Sequence, residues 1–350
     1  MKNKVLLSIE LPPPMHGMTY VNQIIYQNLK DDDRYLFHLI NRKDSLSDNE
    51  KFKFSKVFKN FILVFDFWKS FFKTRPSVVY LLLSGTKFGI IRDFLMYLPV
   101  VLMRKKMISH LHGFTHYKTY KNSLLYRVFF NIMTQNSKFI VLCDRQKETT
   151  KKLMNKESYV LNNCLNSDEI FTKNLNEDSL KLCYISNISY GKGTLDLVKA
   201  VKNKKNISLV VAGSFLDNKE EFLSIIQENQ NIKFVGFADE DKKHELLKNS
   251  DIFCLPSKLE EGSPISIIEA LRYGLPILAT NKGCIAQMIQ GAGYVLDDNY
   301  SEDDIIKGIE YIRKDYVILS QNAITYYEKY YSKKVFIENL NKLLGENVDV

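Results

Sequence analysis

Two carboxylates flank a single helix start within residues 257–270. Glu261 stands just before the run Gly262-Ser263-Pro264-Ile265, and Glu269 comes eight residues after Glu261. Ser263 is a favourable N-cap and Pro264 suits a first helical position, which predicts that a helix begins here. Exposed amides at such a start bind anions such as a diphosphate, and a carboxylate on the same helix can accept both hydroxyls of a ribose. The segment therefore predicts a nucleotide-sugar site.

Three other loops place glycine or a cation near the ends of predicted strands. The run 187–194 sets Lys192 between two glycines, where its ammonium could neutralise a leaving diphosphate. Gly17 follows three prolines and would let the start of the first helix approach a ligand, while His112 ends another strand beside Gly113. A solvated turn lysine, a ligand-free proline turn and a satisfied core histidine remain the alternative interpretations of these loops.

Short apolar runs alternate with helical patterns along nearly the whole chain, which is typical of parallel sheets built from strand–helix–strand units. The predicted strands are Lys4–Ile9, Tyr35–Ile40, Val78–Leu83, Lys106–Leu111, Phe139–Cys143, Tyr159–Leu161, Lys181–Ser186, Ser208–Ala212, Ile232–Val235, Ile252–Leu255, Pro276–Ala279 and Gly293–Leu296. A polar segment, 166–178, separates two series of six strands. We therefore expect an N-terminal acceptor-side domain of residues 1–165 and a C-terminal nucleotide-sugar-binding domain of residues 166–330.

The expected fold class is α/β, with two facing doubly wound Rossmann-like domains and a ligand cleft between their strand ends. A C-terminal helix at about 331–350 is expected to pack back on the first domain.

Composition narrows the class of protein. With 350 residues, 45% of them hydrophobic and 25% charged, the chain resembles an ordinary globular protein of two domains. No apolar run is long enough for a transmembrane helix. Five cysteines with no paired spacing predict no zinc site and favour a reducing compartment, the cytoplasm. Residues 1–165 hold 27 Lys and Arg against 12 Asp and Glu, an excess that indicates an anionic partner for this half.

These residues resemble those of the retaining GT-B glycosyltransferases of family 4, over essentially the whole chain. The most specific match is the Glu-x7-Glu pair Glu261 and Glu269, inside Glu-Gly-Ser-Pro-x4-Glu-Ala and followed by the run 274–280. Lys192-Gly193 resembles the family's Lys-Gly, residues 160–166 its hinge, and residues 13–18 its N-terminal glycine loop. The resemblance implies a metal-independent hexosyltransferase that uses no cofactor and takes a UDP- or GDP-linked sugar as its donor substrate.

The resemblance also implies a role for each matching residue. Glu261, Lys192 and His112 would be the catalytic residues, with Glu261 and His112 touching the transferred sugar and Lys192 the diphosphate. Glu269 would hold the ribose hydroxyls. The expected donor-binding residues are Gly17, Asn187, Lys192, Gly236, Phe237, Gly262, Ser263, Pro264, Ile265 and Glu269. Asn187 departs from the pattern, because the family usually carries arginine there, and one cation for the diphosphate is therefore missing.

The basic first half also suggests where the acceptor is. The segment Lys51–Lys73 mixes lysine with large apolar residues at roughly helical spacing. Such a helix can lie on an anionic leaflet, although a helix packed on the sheet with a lysine-rich outer face would have the same pattern. No recognition motif supports a nucleic-acid partner.

The favoured function is a glycosyltransferase, peripheral on the inner face of the membrane, that adds a sugar to a lipid-linked glycan or oligosaccharide acceptor in envelope polysaccharide biosynthesis. A nucleotide-sugar epimerase of GT-B fold and a non-catalytic membrane-docking module are the alternatives.

Overall fold

The chain forms two compact units, each built around its own parallel sheet. A computed structural model describes residues 3–42, 54–173, 175 and 179–345. Unit 1 is drawn from residues 1–162 and 336–350, and unit 2 from residues 163–335. Within these described ranges, no helix is both long and apolar enough to cross a membrane.

Unit 1 has six strands and seven α-helices among its described residues. The strands are β1 (Asn3–Ile9), β2 (Tyr35–Asn41), β3 (Val78–Leu82), β4 (Lys106–His110), β5 (Ser137–Val141) and β6 (Ser158–Val160). The helices are α1 (Gly17–Lys30), α2 (Phe54–Thr74), α3 (Lys87–Leu102), α4 (Thr115–Asn122), α5 (Leu124–Met133), α6 (Asp144–Thr149) and α14 (Lys333–Gly345). A π-helical turn prolongs α6 to Met154, and the first three residues of α14 belong to unit 2. Neighbouring strands are parallel, in the order β2-β1-β3-β4-β5-β6.

Unit 2 repeats this plan. Its strands are β7 (Leu180–Ile185), β8 (Ile207–Ala212), β9 (Ile232–Phe234), β10 (Ile252–Leu255), β11 (Ile277–Thr280) and β12 (Gly293–Leu296). Its helices are α7 (Thr194–Val201), α8 (Lys219–Gln227), α9 (Glu240–Lys248), α10 (Ile265–Arg272), α11 (Ile285–Met288), α12 (Glu302–Lys314) and α13 (Tyr316–Tyr326), with a π-helical turn to Tyr331. The strands are again parallel, in the order β12-β11-β10-β7-β8-β9.

The prediction of two doubly wound α/β sheets is confirmed. Each of the twelve predicted strands is present, with bounds that differ by no more than two residues. One expectation was wrong: α10 begins at Ile265 with Pro264 as its N-cap, so Ser263 is not the cap. Of the predicted segment Lys51–Lys73, residues 51–53 lie outside the described residues, and the helix is described from Phe54.

The strand orders locate a crevice in each sheet. In unit 2, β7 lies between β10 and β8, so the chain leaves β7 and β10 toward opposite faces of the sheet. In unit 1 the same reversal occurs between β1 and β3. Loops that part in this way leave a space above the carboxyl ends of the strands, which is where open α/β sheets bind ligands. The loop after β7 carries Lys192, and the loop after β10 carries Glu261.

A buried ion cluster joins the strand ends of unit 1 to α3. Arg42, just after β2, donates from Nη2 to Oδ1 of Asp93 at 2.8 Å, and both side chains are fully buried. Arg92 donates to the same oxygen at 2.7 Å, and the Ser84 amide donates to Oδ2 at 2.7 Å. Tyr97 completes the cluster, because its hydroxyl accepts from Nη1 of Arg42 at 3.2 Å, and the same hydroxyl lies 2.8 Å from that of Ser8 on β1. Asp93 therefore holds β2, the loop after β3 and α3 together.

Replacing Asp93 by alanine should destabilise unit 1. The change leaves the guanidinium groups of Arg42 and Arg92 without their buried carboxylate, which costs about 3–5 kcal/mol in the free energy of unfolding. Trp68 is the single tryptophan of the chain and lies in α2, so its fluorescence during urea unfolding reports on this unit. Glu148→Ala, which removes an exposed ion pair with Lys152, is the matched control and should change little. An equal, small effect of both variants would contradict the role given to Asp93.

Candidate active site

Lys192 and Glu261 meet at the switch point of unit 2. The Lys192 ammonium donates to Oε1 of Glu261 at 2.6 Å, and the Ser257 hydroxyl donates to the same oxygen at 2.6 Å. The Lys192 and Glu261 side chains are only 19% and 13% exposed. The pair therefore fixes a cation and a carboxylate at the carboxyl ends of β7 and β10 before any ligand binds.

Close backbone approach explains why glycine follows Lys192. Lys192 ends a 3₁₀ turn, Tyr190–Lys192, and Gly193 then takes a φ of +69°. A Cβ on Gly193 would lie 2.0 Å from the Pro256 carbonyl oxygen, so only glycine fits against the loop after β10. The Tyr300 hydroxyl lies 2.7 Å from that same oxygen, and the Lys258 amide donates to the Gly191 carbonyl at 2.8 Å. These contacts hold the two loops together.

The loop after β11 fixes the backbone beneath Glu261. The Cys284 amide donates to the Glu261 carbonyl at 3.0 Å, and the Gly283 amide donates to the Glu260 carboxylate at 2.6 Å. A Cβ on Gly283, whose φ is +61°, would lie 1.9 Å from the Glu261 carbonyl oxygen. The position of Glu261 is thus set by three successive loops of the sheet.

Glu269 is buried in α10 and pairs with Lys243 of α9. The Lys243 ammonium donates to Oε1 of Glu269 at 2.7 Å and also contacts the exposed Glu240 at 2.6 Å. Burial raises the pKa of Glu269, although the charge of Lys243 opposes that shift. Burial by itself would lower the pKa of Lys243, but Glu269 and Glu240 outweigh it and the pKa is raised. Lys243 therefore stays charged, and Glu269 is the member of the pair that loses its charge as the pH falls.

The start of α10 offers donors to an anion. Pro264 has no N–H, so the first-turn amides that have no helical acceptor belong to Ile265 and its successor Ser266. The Ser263 hydroxyl is buried and has no hydrogen-bond partner among the described residues. Its backbone carbonyl accepts from Nδ2 of Asn163 at 2.9 Å, which fixes the segment in place. An unpartnered hydroxyl beside free amides suits a phosphate oxygen.

The other predicted residues of unit 2 lie at neighbouring strand ends. Gly236, with a φ of +74°, follows β9, and its carbonyl accepts from the Gly213 amide at 2.8 Å. Phe237 is 75% exposed, as expected of a ring that is not part of the core. Asn187 follows β7 with an exposed side chain. These positions surround the same edge of the sheet as Lys192.

Gly17 and His112 belong to unit 1. Gly17 is the first residue of α1, directly after His16, which caps the helix together with Thr19. His112 lies two residues beyond the end of β4, and its ring stacks on that of His110 at a centroid distance of 3.9 Å. Burial lowers the pKa of His112 to about 3, with a further contribution from His116 and His16, so the imidazole is neutral at neutral pH. Its Nε2 is buried and has no partner within the described part of the chain.

Three further side chains of interest were not among those predicted from the sequence. Ser257 and Lys243 bind the two predicted glutamates, but neither stands in a recognisable motif. Glu10, at the end of β1, is buried, and its Oε2 has no partner among the described residues. The placement of Glu10 directly after an apolar strand is the one signal that could have marked it.

Replacing Lys243 by methionine should destabilise unit 2 in a pH-dependent way. The change leaves Glu269 buried without its cation, at a cost of about 3 kcal/mol near pH 8. The pKa of Glu269 then rises further above its unfolded value, so the carboxyl is held neutral at low pH and the stability falls as the pH rises. Urea unfolding followed by circular dichroism at about pH 5 and about pH 8 should show the larger loss at the higher pH.

Glu240→Gln is the control for this measurement. It removes the exposed partner of Lys243 and leaves the pair with Glu269 in place, so the stability should change little at either pH. The same loss at both pH values in Lys243→Met would contradict a buried, charge-dependent pair.

Part of this chain resembles known glycosyltransferases in sequence. Residues 166–330 match the family model described as glycosyl transferases group 1. A lipopolysaccharide 1,2-N-acetylglucosaminetransferase of Salmonella typhimurium is 30% identical over 151 residues, which are 39% of this chain and 40% of that protein. An uncharacterized glycosyltransferase of Methanocaldococcus jannaschii is 25% identical over 312 residues, 80% of this chain and 72% of that protein. The match to the Salmonella enzyme thus spans well under half of its length.

Solved structures share the fold of the whole chain. A sucrose-phosphate synthase from Thermosynechococcus elongatus superposes with a TM-score of 0.75 over 99% of both chains, at 13% identity. Anabaena HepE in complex with UDP-glucose superposes with a TM-score of 0.71 over 98% of this chain and 99% of that one, at 15% identity. At such identities the likeness concerns the fold. Residues 166–330 therefore resemble the glycosyl transferases group 1 family, and the chain as a whole has the GT-B fold.

Proposed function

We propose that the chain is a retaining glycosyltransferase of the family 4 type that transfers a sugar from a nucleotide-diphosphate donor to a glycan. The observation that carries this proposal is the Lys192–Glu261 pair at the switch point of unit 2, beside the unpartnered Ser263 hydroxyl at the start of α10. This part of unit 2 thus offers a cation, free amides and a hydroxyl, which are the groups that bind a diphosphate. Glu269, on the same helix, supplies a carboxylate for the ribose hydroxyls.

The proposed chemistry follows from where charge develops. Cleavage of the bond between the anomeric carbon and the phosphate oxygen leaves negative charge on the departing diphosphate, which Lys192 and the first-turn amides of α10 stabilise. The acceptor hydroxyl attacks the anomeric carbon from the same face, and the leaving phosphate oxygen takes its proton. Glu261 and Glu269 are each held by a lysine, which argues against a glycosidase-like pair in which one carboxylate is the nucleophile.

The proposed acceptor is a lipid-linked glycan of envelope polysaccharide, and the protein would work at the inner face of the membrane. The net positive charge of residues 1–165 supports an anionic surface as partner. The named relatives include a lipopolysaccharide N-acetylglucosaminetransferase and an O-antigen biosynthesis glycosyltransferase of Escherichia coli, which supports a polysaccharide product. We propose a UDP- or GDP-sugar as donor because some structural neighbours were solved with UDP or UDP-glucose.

Lys192→Ala and Glu269→Ala should each abolish sugar transfer by the purified protein while leaving its circular dichroism unchanged. Lys192 would no longer neutralise the leaving diphosphate, and Glu269 would no longer hold the ribose. A thermal-shift screen with UDP- and GDP-sugars first selects the donor, and product analysis with a lipid-linked acceptor then measures transfer. Lys199→Ala, which removes a lysine from an exposed ion pair with Glu221, is the matched control and should remain active.

The products separate the competing functions. Transfer with retention of the anomeric configuration supports the proposal, whereas a changed free sugar nucleotide would indicate an epimerase. Donor turnover at the wild-type rate in either site variant would refute the assigned site.

Asn187→Arg should tighten the binding of UDP by about tenfold and that of UMP much less. The new guanidinium would extend from the loop after β7, where the side chain of residue 187 is exposed. The added affinity would come from its contact with the second phosphate, which UMP lacks. Calorimetric titration of both nucleotides measures the difference. Asn206→Arg, which adds the same charge just before the amino end of β8, is the control. Equal tightening in both variants would show that the gain in affinity comes from the added net charge and not from a contact at position 187.

A further inference from the structure

Three neighbouring helices of unit 1 have apolar residues on both their inner and their outer sides. On the inner side, α2, α3 and α5 contribute Phe67, Tyr97 and Phe130 to one core cluster with the sheet. The helices also contact one another: Nε1 of Trp68 on α2 donates to the Leu95 carbonyl of α3 at 3.0 Å. The helices therefore form one layer whose outer side faces away from the core.

The outer side of α2 carries the longest apolar stripe. Phe58, Phe61, Phe65, Trp68 and Phe72 are all exposed, and they recur at intervals of three and four residues. This spacing places them on one side of the helix, opposite the buried Phe67 and Phe71. A surface helix of a globular protein normally has polar residues in these positions.

The two other helices continue the stripe. On α3 the exposed Phe88, Leu95 and Leu102 are seven residues apart, so they also share one side. On α5 the exposed Leu124, Val128 and Ile132 are four residues apart. Scattered exposed apolar residues need no explanation, but aligned stripes on three adjacent helices form a contiguous patch of the kind that marks an interaction site.

The charge of the segments that form this patch is mostly positive. From Phe54 to Val141 the sequence holds fourteen Lys and Arg against two acids, Asp66 and Asp93. Of these two acids, Asp93 is fully buried against Arg42, whereas Asp66 is exposed. Exposed cations such as Lys69 and Lys73 on α2 are thus almost unopposed.

We propose that the outer faces of α2, α3 and α5, here called the three-helix surface, dock on an anionic lipid leaflet. Apolar side chains that insert below the headgroups, with cations around them, are what such a leaflet binds. A second copy of the chain fits less well, because two such surfaces would bring like charges together. The inference deepens the membrane part of the proposed function, and it adds α3 and α5 to the segment predicted from sequence.

The test uses the full chain and vesicles of phosphatidylcholine with or without phosphatidylglycerol. Co-sedimentation should be strong with the anionic vesicles, should weaken as salt is added, and should be slight with neutral ones. Trp68 belongs to the surface and is the single tryptophan, so its emission should shift to shorter wavelength when the protein binds. Equal binding to both kinds of vesicle, or to neither, would overturn the proposal.

Paired variants locate the surface. Leu102→Ser with Val128→Ser removes side chains that are 73% and 47% exposed on α3 and α5, and it should weaken vesicle binding about tenfold. Val317→Ser, at a 66% exposed position of α13 in unit 2, is the matched control and should bind as the wild type does. The substituted residues lie outside the proposed donor site, so the thermal shift with nucleotide sugar should be unchanged in the double variant. That measurement keeps a failure of docking distinguishable from a failure of the proposed function.

Self-association is the remaining alternative. Sedimentation velocity without vesicles should show the same species for wild type and for the double variant. A wild-type dimer that the double variant disrupts, together with no anionic preference, would assign the three-helix surface to a second copy and refute docking on lipid.

Discussion

The ion pair between Lys192 and Glu261 depends on the strand order of unit 2. Because β7 and β10 are adjacent and parallel, the loops that follow them leave from the same edge of the sheet. Their helices run to opposite faces, so the two loops border an open space that no helix fills. The pair forms across that space, and Ser257, Gly193 and Gly283 hold it in position. Without this pair, the start of α10 would be an ordinary helix terminus with free amides.

The two glutamates of the site are stabilised in different ways. Glu261 sits near the surface, where a lysine and a serine share one of its oxygens. Glu269 is buried, and its ionised form depends on Lys243 from another helix. A buried carboxylate is costly unless a cation and hydrogen bonds compensate it. Both carboxylates are thus preorganised by a lysine, Glu261 by Lys192 of the loop after β7 and Glu269 by Lys243 of α9, so a ligand would meet charges already in place.

Unit 1 uses its charges differently. Three of its buried charged side chains, Arg42, Arg92 and Asp93, hold strand ends and α3 together. Most of its other cations face outward, around helices whose outer sides are apolar. The exposed apolar side chains cost solubility unless something covers them, which is the physical basis for a docking surface. In unit 2, by contrast, Lys192 and Lys243 are paired with Glu261 and Glu269.

The sequence alone determined both sheets and the main site segment. Period and turn signals are local, so all twelve strands could be predicted, as could a helix start near Pro264. The partner of Glu269, the unpartnered Ser263 hydroxyl and the three-helix surface could not be predicted. Lys243 and Glu269 are 26 residues apart on separate helices, and no local pattern encodes which side chains face each other. Likewise, exposed stripes become one surface only when tertiary packing sets α2, α3 and α5 side by side.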